Sequence, residues 1–163
     1  MTSSDERRAA NDRRVAADIK EYGCHVISVF PSADGSTPSF TYSVGIHEST
    51  GAPEAMIIGV EAKLGGFVIN EYNRQVKAGA RFTKGTLYPG FLKGFSVYIE
   101  PAKAELLSEY TLGCARYYRN KGSYSVVQIV YPNTSGVWPW QEQADAWFKD
   151  NQPMLGRPRP DRP

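Results

Sequence analysis

The chain has 163 residues, 41% of them hydrophobic and 22% charged, the size and balance of one globular domain that can bury a core. Its net charge of +2 is too small to argue for a nucleic-acid or anionic-membrane partner, and no apolar run approaches the roughly 20 residues that span a bilayer. Cys24 and Cys114 stand far apart without metal-ligand spacing, and His25 and His47 are too few for a multi-histidine zinc site. No secretory segment places the chain in an oxidising compartment. The thiols are therefore expected reduced, the Asn133-Thr134-Ser135 sequon unused, and the protein soluble and cytoplasmic.

Ser3 and Glu6 stand at capping-box spacing and predict a helix that runs to Tyr22 and stops at Gly23. Val15, Ile19 and Tyr22 give it a short apolar stripe, while Arg7, Arg8, Arg13 and Arg14 make it basic. That basic surface is either a solvated face or a contact for a protein partner. Residues 24–30 read as a first strand, with His25, Ile27 and Val29 facing one way. After a turn-rich loop, residues 40–46 alternate Phe40, Tyr42, Val44 and Ile46 with Thr41, Ser43 and Gly45, a clean period of two. A short loop over 47–53 leads to a third strand at 54–60, and the three together suggest an antiparallel or mixed meander.

A helix is expected over 62–78, with Leu64, Phe67, Val68, Tyr72 and Val76 on one face and Gly79 after it. Residues 85–94 read as loop or short extended chain, with Pro89-Gly90 as a turn. A strand over 95–100 is followed by a helix over 103–120, interrupted near Gly113. The last strand spans 125–131, and a short helix over 140–149 would stack Ala144, Trp147 and Phe148. From Asn151 onward, proline and arginine suggest a docking segment and then a disordered tail. The organisation expected is a basic helix at 1–22, a single domain at 23–155 and a tail at 156–163. Strands mixed with helices, without regular βαβ alternation, argue for an α+β fold. Its sheet is mixed, largely antiparallel, and packed by the helices over 62–78 and 103–120.

Phosphate-binding, dinucleotide-binding, nucleophile-elbow and paired C-x-x-C motifs are all missing, so no cofactor and no metal are implied. His47-Glu48-Ser49-Thr50-Gly51 begins like a zinc-protease helix but has Gly51 where the second histidine belongs. His47 stands just past a strand beside Glu48, in a loop position from which a side chain can reach a ligand. Glu54 enters an apolar strand, so its carboxylate must be paired, hydrogen-bonded or functional, unless it reaches water at the strand edge. Gln128 alternates with Val126 and Val130, and its amide needs an internal partner, either a loop it holds or a ligand it reads. Trp138 and Trp140 around Pro139 make a stiff aromatic platform, for a planar ligand or as closure of the core. Tyr117 and Tyr118 beside Arg116 and Arg119 have nucleic-acid chemistry, but no nucleic-acid motif accompanies them and that partner is not expected.

Four segments occur together in order: YGCHVISVFP, PSFTYSVGI with GAPEAMIIGV, QIVYPNTSGVWPW and NQPML. That set resembles the bacterial domain-of-unknown-function family 4262, over about residues 22–155. Members show a Tyr-Thr-Val-Gly-like strand, a Pro-Glu pair, a Gln-x-x-x-Pro-Asp turn, Pro-Trp and Gln-Pro-x-Leu. These fall here on residues 42–45, Pro53-Glu54, residues 128–133, Pro139-Trp140 and residues 152–155. Asn133 stands where aspartate is usual, which removes a carboxylate from the loop. Tyr22-Gly23-Cys24 replaces a common Gly-Trp pair. The resemblance implies a bacterial domain whose named residues share a site, and it brings no established activity.

The leading expectation is a module that binds a small polar or planar, nucleotide-like ligand at the loop over 128–140, with Tyr42, Glu54, Gln128, Asn133 and Trp140 around it. One alternative is an enzyme in which Glu54 or His47 is the general base and Gln128 polarises the substrate. Another is a protein-interaction or accessory module that works through the N-terminal helix. No membrane partner is expected.

Overall fold

Two of the most apolar stretches, Glu54–Ile58 (β3) and Val126–Val130 (β6), lie side by side and parallel at the centre of a six-stranded sheet. Every residue of both is buried, which is why neither shows the alternation of a half-solvated strand. The computed structural model describes residues 2–156. In it, His25–Val29 (β1) and Phe40–Val44 (β2) continue the sheet on one side, and Phe95–Pro101 (β5) and Leu87–Leu92 (β4) on the other. The order is β1-β2-β3-β6-β5-β4, and every neighbouring pair except β3 and β6 is antiparallel. The chain is thus a single α+β domain with a mixed, mostly antiparallel sheet.

Helix α3, Ala62–Lys77, covers one face over β1, β2 and β3. Its approach is close because β2 presents Thr41 and Ser43 to that side. A Cβ on Gly65 would come within 2.4 Å of Thr41 Oγ1. The period of two in β2 therefore separates large from small residues, since both faces are buried. The buried stripe of α3 is Gly65, Val68, Ile69, Tyr72, Asn73 and Val76. Leu64 and Phe67, expected on that stripe, lie outside it at 36% and 58% exposure.

The opposite face carries Phe40, Tyr42, Val44, Met56, Ile58 and Val126 under α1 (Ser3–Tyr22), α4 (Leu112–Tyr118) and the extended C-terminal segment. Thr2 and Asp5, one residue before the expected pair, form the capping box of α1, and Gly23 ends it in a left-handed conformation. Val15 and Ile19 are buried, whereas Tyr22 is exposed. The last turn of α1 rests directly on Gly45, where a Cβ would meet Ile19 Cγ1 at 2.5 Å.

Four other expectations change. The single helix over 103–120 is a 3-10 turn at Ala104–Leu106, an irregular link and then α4, with Gly113 inside the helix. Lys103 N–H is drawn to the carbonyl of Leu155 and Tyr110 packs edge-on against Phe40. Those tertiary contacts override the helix propensity of the segment. Residues 87–92 form edge strand β4, where a register shift between Tyr88 and Leu92 accommodates Pro89 and the positive φ of Gly90. The loop expected after β2 contains a short helix, α2, at Ile46–Thr50. The last helix, α5, spans Ala146–Asn151 behind the Asp145 N-cap, and Trp147 is 70% exposed on it. Gln152 to Gly156 dock on the domain, and the tail expected from 156 lies, beyond Gly156, outside the described residues.

Candidate functional site

The β2–β3 ladder runs as far as Tyr42 and Met56. Beyond it the strands are joined by side chains. Ser43 Oγ accepts from Ala55 N–H and donates to Glu54 Oε1 at 2.7 Å. The same carboxylate accepts the N–H groups of Gly45, Ile46 and His47 at 2.9–3.1 Å, and the Tyr118 hydroxyl donates to it as well. Five donors thus converge on one carboxylate that is fully buried. Tyr118 also accepts from Glu48 N–H at 3.2 Å. Burial, with the Glu54 charge beside it, pushes the Tyr118 hydroxyl well above its ordinary value, so it stays protonated as a donor.

This geometry makes Glu54 the anchor of the β2–α2 turn. Its roughly four lone-pair sites are all engaged, leaving none to take a substrate proton. His47, expected in a loop, sits in α2 with its backbone on Glu54 and its ring edge-on to Tyr118 at 6.0 Å. Its Nδ1 is buried without a hydrogen-bond partner among the described residues. His25 is tied to Asp18 of α1 at 2.7 Å.

Register puts Tyr42, Met56, Gln128 and Glu100 in one row across the sheet. Tyr42 and Gln128 therefore share a face, but each is covered. Tyr42 accepts from Gly113 N–H of α4 at 2.8 Å. Gln128 donates to the carbonyl of Pro153 and accepts from Leu155 N–H, both at 2.8 Å. Gln152 in turn accepts from Tyr131 N–H and donates to Tyr131 C=O. Two glutamines thus read backbone groups in reciprocal fashion and bind an extended strap, which drops Leu155 into the core.

Asn133 Oδ1 accepts from Ser135 and Val137 N–H, closing the turn after β6, and Gln141 Oε1 accepts from Trp138 N–H. The two indoles stack at 5.2 Å with an interplanar angle of 13°, and Tyr98 of β5 lies 4.8 Å from Trp138 and 5.8 Å from Trp140. The tryptophans are half-buried. Neither indole N–H bonds to another described residue, and neither is sealed from solvent. The result is a rigid aromatic plate with two available donors.

Of the five residues expected to share a ligand site, Trp140 alone reaches this plate. Glu54 and Tyr42 lie under α4, Gln128 lies under the strap, and Asn133 is occupied with its own turn. Concavities described on the surface, between α1 and α4 and beneath α4, have none of Gln128, Asn133 or Trp140 on their walls. Among the described residues no group of three His, Cys, Asp or Glu side chains is placed to hold a metal ion, and no helix is long and apolar enough to cross a membrane. The sequence shows Trp138 beside Trp140 but gives no sign of Tyr98, and it offers Tyr118 only beside Arg116 and Arg119, not as a donor to Glu54. Their partners lie 40 or more residues away in the chain, so no local pattern marks them.

A family model described as a domain of unknown function, DUF4262, matches residues 18–145. The chain belongs to this family. The DUF4262 match begins inside α1, takes in the Glu54 anchor and both plate tryptophans, and ends before the strap held by Gln128. No curated protein and no solved structure is significantly similar to the chain.

Proposed function

We propose that this DUF4262 domain is a binding module of the bacterial cytoplasm that takes a small planar, polar ligand, nucleoside-like in shape, on the plate of Tyr98, Trp138 and Trp140. The observation that carries this reading is the stacked, near-parallel indole pair, half-buried and with both N–H groups available. A plug that merely closed the core would enclose its rings. Asn133, Gln141 and Pro139 stiffen the loop, so little ordering remains when a ligand stacks. Stacking of a base on such an aromatic contributes about 1–3 kcal/mol, and each indole N–H adds direction. The saturated hydrogen bonding of Glu54 favours binding over acid–base catalysis at that residue. Free, buried Cys24 and Cys114 suit a reducing compartment.

The exposed arginines of α1, Arg7, Arg8, Arg13 and Arg14, offer a second surface, suited to an acidic protein partner. The ligand reading is tested by fluorescence in a Trp147→Phe background, which removes the exposed indole. Adenosine should quench the remaining emission saturably, and Trp140→Ala should abolish that response. Linear, unsaturable quenching, or the same curve without Trp140, would overturn it.

A further inference from the structure

Helices α1 and α4 stand apart over β1 and β2 and leave a cleft of about 260 Å³. Its floor is apolar, made by Val15, Ile27 and Val44, and Tyr117 walls one side. Gly113 brings α4 down onto the sheet here, since a Cβ would lie 2.6 Å from Ile27 Cδ1 and 2.8 Å from the Tyr42 hydroxyl. The rim is cationic. Arg116 donates from Nε and Nη2 to the two oxygens of Asp12, at 2.9 and 2.7 Å. Arg119 also lines the rim and has no carboxylate within ion-pair distance among the described residues.

We infer that this cleft is a second ligand site, for a small organic anion with an apolar body. Three features define that ligand. A guanidinium has five N–H donors, and Asp12 uses two of those on Arg116, so three remain for an incoming head group. Asp12 also fixes Arg116 in place, which removes most of the ordering that capture of an anion would otherwise require. Arg8 and Arg119 join Arg116 in the field around Asp12, and Glu48, which accepts from the Tyr117 hydroxyl, is itself paired with Lys121, so the rim is net positive. The floor offers no hydrogen bond to a polar body, and its volume falls just below the roughly 300–1,000 Å³ of drug-sized pockets. One ring or a short branched chain therefore fits, with a carboxylate or phosphate at the mouth.

The test is an ¹⁵N NMR titration of the full chain with benzoate, phenyl phosphate, benzyl alcohol and inorganic phosphate. Benzoate or phenyl phosphate should shift amides of residues 11–15 and 113–119 saturably, and whichever binds more tightly identifies the head group. Benzyl alcohol lacks the charge and inorganic phosphate lacks the body, and each should bind about tenfold more weakly or worse. Arg119→Gln should weaken the preferred anion about tenfold, with partial recovery in Arg119→Lys. Equal binding of benzyl alcohol, unchanged affinity in Arg119→Gln, shifts confined to other residues, or no saturable binding of either anion would overturn the site.

Discussion

Replacing Glu54 by glutamine keeps the size of the side chain and removes its charge, so it isolates what the carboxylate does. Oε2 receives Gly45 N–H, His47 N–H and the Tyr118 hydroxyl, whereas Oε1 receives Ile46 N–H and the Ser43 hydroxyl. The amide would therefore turn its oxygen to the three-donor side and its NH₂ towards Ile46. Ser43 can rotate to accept, but Ile46 N–H would face another donor and lose its bond, at about 1–3 kcal/mol for a buried orphan group. The surviving bonds change from charged to neutral acceptors, and each weakens by about 1 kcal/mol at most. A total loss of about 3–5 kcal/mol is expected from those two effects. Urea denaturation followed by circular dichroism measures it, with an unchanged m-value showing that the unfolded state is not the cause. A variant as stable as the parent, or more stable, would refute the anchor role. It would mark the carboxylate as a strained group kept for chemistry.

Gln128→Ala leaves the Pro153 carbonyl and Leu155 N–H without partners, so stability should fall by about 2–4 kcal/mol and hydrogen exchange at Leu155 should become fast. Slow exchange in that variant would show that the strap holds by apolar packing alone. Ile19→Ala should cost about 2–4 kcal/mol, because the side chain fills the space above Gly45, while deletion of residues 2–10 should cost at most about 1 kcal/mol through the lost cap. Calorimetry on the two proteins would contradict this if the truncation proved the more damaging. Burial pushes the Cys24 thiol up to about 12 and raises Cys114 as well, so a thiol reagent at pH 8 should label neither until the domain unfolds. Rapid labelling of the native protein would show that these thiols are reached without global unfolding.

The sheet was legible where periodicity had one cause. Strands β1, β2, β3, β5 and β6 follow from β-branched and aromatic runs between turn residues, α1 from its stop at Gly23 with the spacing of Val15 and Ile19, and α3 from the spacing of Val68, Tyr72 and Val76. Strand β4 was hidden because Pro89 and Gly90 read as a turn, and only an edge position with a bulge accommodates both. Leu64 and Phe67 fell on the expected helical stripe, yet Gly65 and Thr41 set the contact. Close approach of small residues decided which way α3 faces.

At the site, chemistry rather than position was readable. A carboxylate entering an apolar strand needed donors, and an amide inside a strand face needed a partner. Glu54 and Gln128 have both. What they hold was not readable, because the turn at 45–47 and the strap at 153–155 come to them only through tertiary folding. The plate had a visible half, Trp138 and Trp140, and an invisible half in Tyr98, which β5 brings under the indoles from 40 residues upstream.

The ligand plate is reached most directly by following the indole N–H resonances of the ¹⁵N-labelled protein during an adenosine titration. The chain has three tryptophans, so each signal can be assigned by single substitution. The Trp138 and Trp140 signals should move together along one saturable curve, while Trp147, on the outer face of α5, stays in place. Unmoved Trp138 and Trp140 signals at saturating adenosine, or equal movement of all three, would contradict a planar-ligand site on the plate.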